Sequence, residues 1–160
     1  MDLQAQQILV TLIRHQRIAA LGTLRNDAPE VTMVPIAASP DCTAFYLHLS
    51  KLAHHTQNIS HDARVSLMVA EADDGMRNPQ TLARVSIQGD AILIAETAND
   101  YAPARFSYLA RFPQAEMTFT LNDFGLYKIE PKAARLVAGF AQTYNLTVRD
   151  FREAGSASTQ

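Results

Sequence analysis

Hydroxyl and cationic side chains crowd one short stretch of the sequence, LSKLAHHTQNISHDARVSLMV at 49–69. Its candidate anion donors, with one arginine further along the chain, are Ser50, Lys51, His55, Thr56 and Arg84. A phosphate group favours such donors, above all beside a helix N-terminus with its free amide groups. The stretch therefore predicts a phosphate site. The simpler alternative, in which Ser50 caps a helix and the other residues are solvated, stays open.

Arg84 lies in the clearest strand pattern of the chain, residues 81–95. Val85 and Ile87 share one face of this segment, and Arg84 shares the other with Ser86. An arginine in this position either faces solvent on the outside of a barrel or lines a cofactor groove. The alternation alone does not choose between the two.

Other catalytic and metal-binding patterns are missing from the sequence. His54 and His61 are seven residues apart, which on a helix separates them by two turns, and no His-x-x-x-His pair occurs. Cys42 is the single cysteine, so the chain lacks a multi-cysteine metal site. Hydrolase, dinucleotide and P-loop motifs are also absent. No metal site is expected.

Composition narrows the class of protein. The 160 residues predict a single domain over 1–150, with a flexible tail over 151–160. A net charge of −2 argues against binding to nucleic acid. No apolar run is long enough to cross a membrane, and the start MDLQAQQILV does not resemble a signal peptide, so a cytoplasmic protein is expected.

Hydrophobic periodicity predicts a mainly β, α+β architecture. Helices are expected over 3–16, from Ser50 to His61, and over 99–111. Strands are expected over 17–25, 30–38, 43–49, 64–70, 81–95, 116–120, 124–129 and 134–140. The strand over 30–38 is apolar on both faces, which is typical of a buried strand, and Gly89 indicates a bulge or bend. Short connections favour an antiparallel barrel.

The sequence resembles the FMN-binding split barrels related to pyridoxamine-phosphate oxidase, and within them the haem-utilisation (HugZ-like) branch. The segments that carry the resemblance are MVPIAA at 33–38, the stretch at 49–69, ARVSIQGDA at 83–91, ARFSYLARFP at 104–113 and FGLYKIEPKAARLVAGF at 124–140. It covers about residues 5–142, and the order and spacing of the segments make it specific.

The resemblance implies an antiparallel split β-barrel that forms a homodimer with FMN between the subunits. The strand with Thr32, Met33, Val34 and Pro35 would pass the flavin ring. The segment containing Ser50, Lys51, His55 and Thr56 would hold the phosphate, and Arg84 would contact FMN from the long strand.

Two departures from the family pattern concern the phosphate. Oxidase members carry an arginine where Thr32 stands and an Arg-Lys pair where His54 and His55 stand, so these strong cations are missing. The substrate motif and the C-terminal tryptophan segment of the oxidase are missing too, and pyridoxamine-phosphate oxidase activity is not expected.

The resulting hypothesis is an FMN-dependent oxidoreductase with an unknown small-molecule substrate, in which no side chain has a forced catalytic role. The alternative is a haem-binding or haem-utilisation protein that uses the same barrel without flavin turnover. The imidazoles that could then ligate iron belong to His15, His48, His54, His55 and His61. A flavin-storage or sensing module is the third reading.

Overall fold

Side chains of alternate residues on the long strands point into the apolar core of the barrel. The fold therefore follows the two-residue repeat of a β-strand. In the computed structural model, which describes residues 1–157, one antiparallel sheet contains all eight strands. They are β1 (Ile18–Arg25), β2 (Ala28–Pro35), β3 (Ala37–Ala38), β4 (Phe45–Ser50), β5 (Arg64–Ala70), β6 (Arg84–Leu93), β7 (Phe124–Gly139) and β8 (Gln142–Leu146). Their order is β2-β1-β5-β6-β7-β4-β3, and β8 pairs with β7. The curled sheet confirms the expected split barrel.

Helices surround the sheet. They are α1 (Leu3–His15), α2 (His54–His61), α3 (Tyr101–Arg111) and α4 (Val148–Ala157), with 3-10 helices at Pro79–Thr81 and Pro113–Thr120. The Asp2 carboxylate caps α1 by accepting a hydrogen bond from the Ala5 amide at 2.8 Å. Within residues 1–157, none of these helices has the length and apolar character needed to cross a membrane.

The core has two parts. Leu21, Leu67, Ile87 and Leu136 fill the barrel from four neighbouring strands and are fully buried. On the other side of β4, α3 covers a smaller cluster that includes Tyr46, Tyr108 and Phe112. Because β4 supplies side chains to both clusters, it is the strand that is buried on both faces.

A bulge bends the long strands where the sequence places Gly89. The register of β6 on β7 shifts between Gln88 and Gly89, and Gly89 pairs with Pro131. A Cβ atom at Gly89 would lie 2.5 Å from the Glu130 carbonyl oxygen, so only glycine fits. Pro131 is tolerated at this irregularity, and β7 continues through the gap that the sequence pattern left between 129 and 134.

Two local predictions were wrong. Residues 116–120 belong to the 3-10 helix Pro113–Thr120 instead of a strand. Pro113 favours the first turn, and the hydroxyls of Thr118 and Thr120 donate to the carbonyls of Ala115 and Met117. The threonine hydroxyls of this alternating segment therefore bond to the local backbone, and these hydrogen bonds compete with sheet formation.

The tail prediction was also wrong for residues 151–157, which belong to α4. Phe151 is fully buried and meets Phe45 edge to face, with ring centroids 5.9 Å apart. Gly155 lies so close to the Asp41 carbonyl that a Cβ atom there would be 2.6 Å from its oxygen. This close packing anchors α4 to the barrel. Residues 158–160 lie outside the described part of the chain.

We expect Phe151→Ala to lower the free energy of unfolding by about 3–5 kcal/mol, the usual cost of an emptied aromatic site in a core. Urea unfolding followed by circular dichroism measures this change. Arg152→Ala, at an exposed position of the same helix, is the matched control and should leave the midpoint almost unchanged. Equal stability of the two variants would mean that α4 is dispensable.

Candidate functional site

A polar cluster joins α2 to the hairpin formed by β1 and β2. The buried Asn58 side-chain nitrogen donates to Thr23 Oγ1 at 3.0 Å and to Glu30 Oε2 at 2.7 Å. Both partners lie on the hairpin, so one amide fixes the helix over the inner side of these strands. The cluster places the start of α2, the expected phosphate position, next to β2.

Two histidines begin α2, and each contacts a side chain of the β1–β2 hairpin. Arg25 Nη1 lies 3.1 Å from His54 Nδ1, and because a guanidinium only donates, that nitrogen is the acceptor in this contact. His55 Nδ1 lies 3.3 Å from Thr32 Oγ1. Burial lowers the pKa of His55, although the Glu30 carboxylate works in the opposite direction. Neither imidazole replaces the permanent cations of the oxidase pattern.

Thr56 has a buried hydroxyl without a hydrogen-bond partner in the first turn of α2. Ala53 occupies the capping position of this helix, and no side chain caps it. Ser50 therefore does not cap α2: its Oγ accepts a hydrogen bond from the Leu52 amide within the preceding turn. Lys51 Nζ donates to the Asn122 carbonyl at 2.7 Å.

Arg84 lies far from this cluster within one chain. It pairs with Val137 near one end of β7, whereas Ser50 pairs with Phe124 at the other end. Its Nη1 donates to the carbonyl oxygens of Leu82 and Gln80. The structure thus brings Thr32, His55 and Thr56 together, while Ser50, Lys51 and Arg84 make other contacts.

The outer face of the sheet carries an uncovered apolar surface, which we call the apolar face. Its four large residues and their exposed fractions are Ile18 52%, Val31 67%, Met33 65% and Met68 44%. Strand pairing joins them, because Ala20 lies opposite both Met33 and Met68 and Gly22 lies opposite Val31. A depression of about 450 Å³ adjoins them, with Gly22, Ser66 and Gly89 among its lining residues.

This surface corrects the interpretation of residues 30–38 as a strand buried on both faces. Val34 is buried in the core, but Met33 and Pro35 point outward and are exposed. The cause is topological: β2 is an edge strand whose only neighbour in the sheet, within residues 1–157, is β1. The alternating exposed residues of β2 could have been recognised from the sequence, but the missing cover could not.

The charges at α2 do not fit the phosphate of FMN. Thr32, Thr56 and the helix amides offer hydrogen bonds, but burial lowers the pKa of His55 and the Glu30 carboxylate lies 3.9 Å from His54 Nδ1. A carboxylate repels a phosphate dianion, and Arg25 is the one permanent cation that touches these histidines within residues 1–157. The site lacks the excess positive charge that a phosphate requires.

The fold, together with the polar cluster at α2 and the apolar face, places the protein among the split-barrel proteins. The model of the pyridoxamine 5'-phosphate oxidase family matches residues 6–138, and the chain belongs to that family. A curated relative, the chloroplastic non-canonical heme oxygenase HOZ of Arabidopsis thaliana, is 35% identical over 118 residues. The match covers 72% of this chain but 34% of that relative, so the chain spans about a third of its length.

Two further relatives have names that mention haem. The heme oxygenase HutZ of Vibrio cholerae is 24% identical over 125 residues, which cover 76% of this chain and 69% of HutZ. The solved structure of a heme binding protein from Mycobacterium smegmatis matches with a TM-score of 0.84 at 22% identity, over 96% of this chain and 62% of that one. At this identity the structural match shows a shared fold.

We expect the phosphate of FMN to add little affinity at neutral pH. FMN and riboflavin should bind within about tenfold of each other, or ~1.4 kcal/mol, because the charges at α2 nearly cancel. Flavin fluorescence quenching measures both affinities. Because burial lowers the pKa of His55, its protonation should favour FMN only below the ordinary imidazole range.

Two variants test the cause of this weak selectivity. Glu30→Gln removes the carboxylate and should shift the preference toward FMN, whereas His61→Ala, on the exposed side of α2, should change nothing. A wild-type protein that prefers FMN over riboflavin a hundredfold at neutral pH would contradict the electrostatic argument.

Proposed function

We propose that this protein binds haem on the apolar face, as a homodimer that functions in haem utilisation. The observation that carries the proposal is the uncovered apolar surface of Ile18, Val31, Met33 and Met68 on three neighbouring strands. A macrocycle presents a similarly flat apolar surface, and an exposed patch of this kind marks a binding site more often than a solvated surface. The names of the relatives support haem as its ligand.

The chain would hold haem mainly through apolar contact. The small residues Ala20 and Gly22 lie between the larger side chains and leave the surface open to a planar ligand. Bound haem would supply the iron centre, and the protein would orient the macrocycle and exclude water from one side of it. Burying each large side chain would contribute roughly 1.5–3 kcal/mol.

The histidines are distributed away from the centre of this face. The strands β1, β2 and β5 contain no histidine, and His15 and His61 are exposed on helices. His48 is buried under Phe119, with ring centroids 3.8 Å apart, and burial reinforced by Arg105 lowers its pKa to about 4. His54 and His55 contact Arg25 and Thr32, whose side chains alternate to the side of the β1–β2 hairpin opposite the apolar face.

A second copy of the chain provides the remaining cover for the apolar face. The free edge of β2 and the exposed Val31 and Met33 together form a surface that a lone chain leaves in water. Two chains joined there would enclose the ligand between them, as the family resemblance implies. The cytoplasmic location expected from the sequence remains a prediction.

The second candidate is an FMN-dependent oxidoreductase, which the unpaired buried hydroxyl of Thr56 favours. That hydroxyl is one hydrogen-bond donor, whereas the lowered pKa of His55 and the Glu30 carboxylate act against the phosphate. These charges at α2 favour the haem proposal over the flavin alternative.

Haem titration followed by absorption spectroscopy tests the function. We expect a saturable change in the Soret band with wild-type protein and at least tenfold weaker haem binding by Met33→Glu, since a carboxylate on the apolar face costs more than ~1.4 kcal/mol. Phe140→Ser changes an equally exposed apolar residue on the β7–β8 hairpin and is the control. Saturable FMN binding without haem binding would favour the oxidoreductase instead.

Sedimentation velocity tests the assembly. A stable dimer that buries more than roughly 2,000 Å² in total should persist at micromolar concentration. Val31→Glu should dissociate it by placing a charge in the apolar contact, while Phe140→Ser should leave the sedimentation coefficient unchanged. A monomeric wild-type protein would overturn the dimer.

A further inference from the structure

Strand register aligns an arginine with the apolar face. On the outer side of the sheet, Met33 lies opposite Ala20, Ala20 opposite Met68, Met68 opposite Ser86, and Ser86 opposite Arg135. These pairs form one row that crosses five strands. Since neighbouring strands are about 4.8 Å apart, Arg135 stands about 10 Å from Met68 along this row, with only a small serine between them.

A second arginine belongs to the same outer surface. Arg84 is two residues before Ser86 on β6, so both side chains point to the same side of the sheet. The exposed Ser86 and Gln88 and the buried Val85 and Ile87 confirm the alternation predicted for this segment. Arg84 and Arg135 thus form a basic patch beside the apolar face.

The hydrogen bonds of these two guanidinium groups go to neutral oxygen atoms. Arg84 donates to backbone carbonyls of Gln80 and Leu82, and Arg135 donates to the side-chain oxygen of Asn145 at 3.3 Å. Among the ion pairs of residues 1–157, carboxylates pair with Arg64, Arg77, Arg105 and Arg149, and neither Arg84 nor Arg135 takes part. The patch therefore carries positive charge without a carboxylate partner.

We propose that Arg84 and Arg135 bind the carboxylates of a flat apolar ligand that lies on the apolar face, which for haem are its propionates. This inference rests on the proposed function and identifies which edge of the ligand each part of the sheet contacts. A guanidinium group forms paired hydrogen bonds with a carboxylate, and Ser86 leaves room for a ligand to extend from Met68 to the basic patch.

Esterification of the ligand tests this assignment directly. Haem and haem dimethyl ester are titrated in the same detergent-containing buffer, and their dissociation constants are obtained from the Soret band. Wild-type protein should bind the diester at least roughly tenfold more weakly than haem, because charge-assisted hydrogen bonds are lost. The double variant Arg84→Ala/Arg135→Ala should bind haem about as weakly as wild type binds the diester.

The double variant should also lose the preference for haem over its diester, and Arg135→Lys should retain part of it. Arg149→Ala removes one exposed arginine, on α4, and is the control for the loss of a positive charge away from the patch. Urea unfolding of each variant confirms that the sheet is intact.

The outcomes separate this inference from the proposed function. If wild-type protein binds haem and the diester with equal affinity, the role of the two arginines is overturned and haem binding is left in place. The same conclusion follows if Arg149→Ala weakens haem binding as much as the double variant does. If wild-type protein binds neither haem nor its dimethyl ester, both proposals are overturned.

Discussion

The apolar face of β1, β2 and β5 is the constraint on which the rest of the molecule depends. Side chains alternate along a strand, so filling the barrel with Leu21, Val34 and Leu67 directs Met33 and Met68 outward. One side of the sheet is stabilised by its own core, whereas the apolar side chains on the other side are exposed to water. The proposed ligand binding and the proposed assembly would both cover these side chains.

Electrostatics separates the two cofactors that this fold could accommodate. At α2, Arg25 contacts His54, burial favours neutral His55, and Glu30 adds a negative charge. A phosphate dianion gains little in such a balanced environment. The outer face differs, because its basic patch lies beside apolar side chains and matches an apolar ligand with carboxylates at its edge.

Periodicity predicted most of the fold, and its failures have local causes. The helix over 3–16, the strand that begins at Arg84 and the bulge at Gly89 all follow from side-chain pattern and backbone sterics. The helix α4 escaped prediction because its C-terminal half is made of small and polar residues and one phenylalanine supplies most of its buried contact. Residues 116–120 alternate like a strand but form local hydrogen bonds.

The candidate functional site likewise has features that the sequence determined and features that only the tertiary structure decided. The sequence by itself determined which side chains share a face of each strand, and it showed that Thr32, His54 and His55 replace the expected cations. Only the tertiary structure decided that Glu30 lies beside His54, that β2 forms an uncovered edge, and that Arg135 shares a row with Met68. Alternation is set by neighbouring residues, whereas these placements depend on strand register between segments distant in sequence, which long-range packing selects.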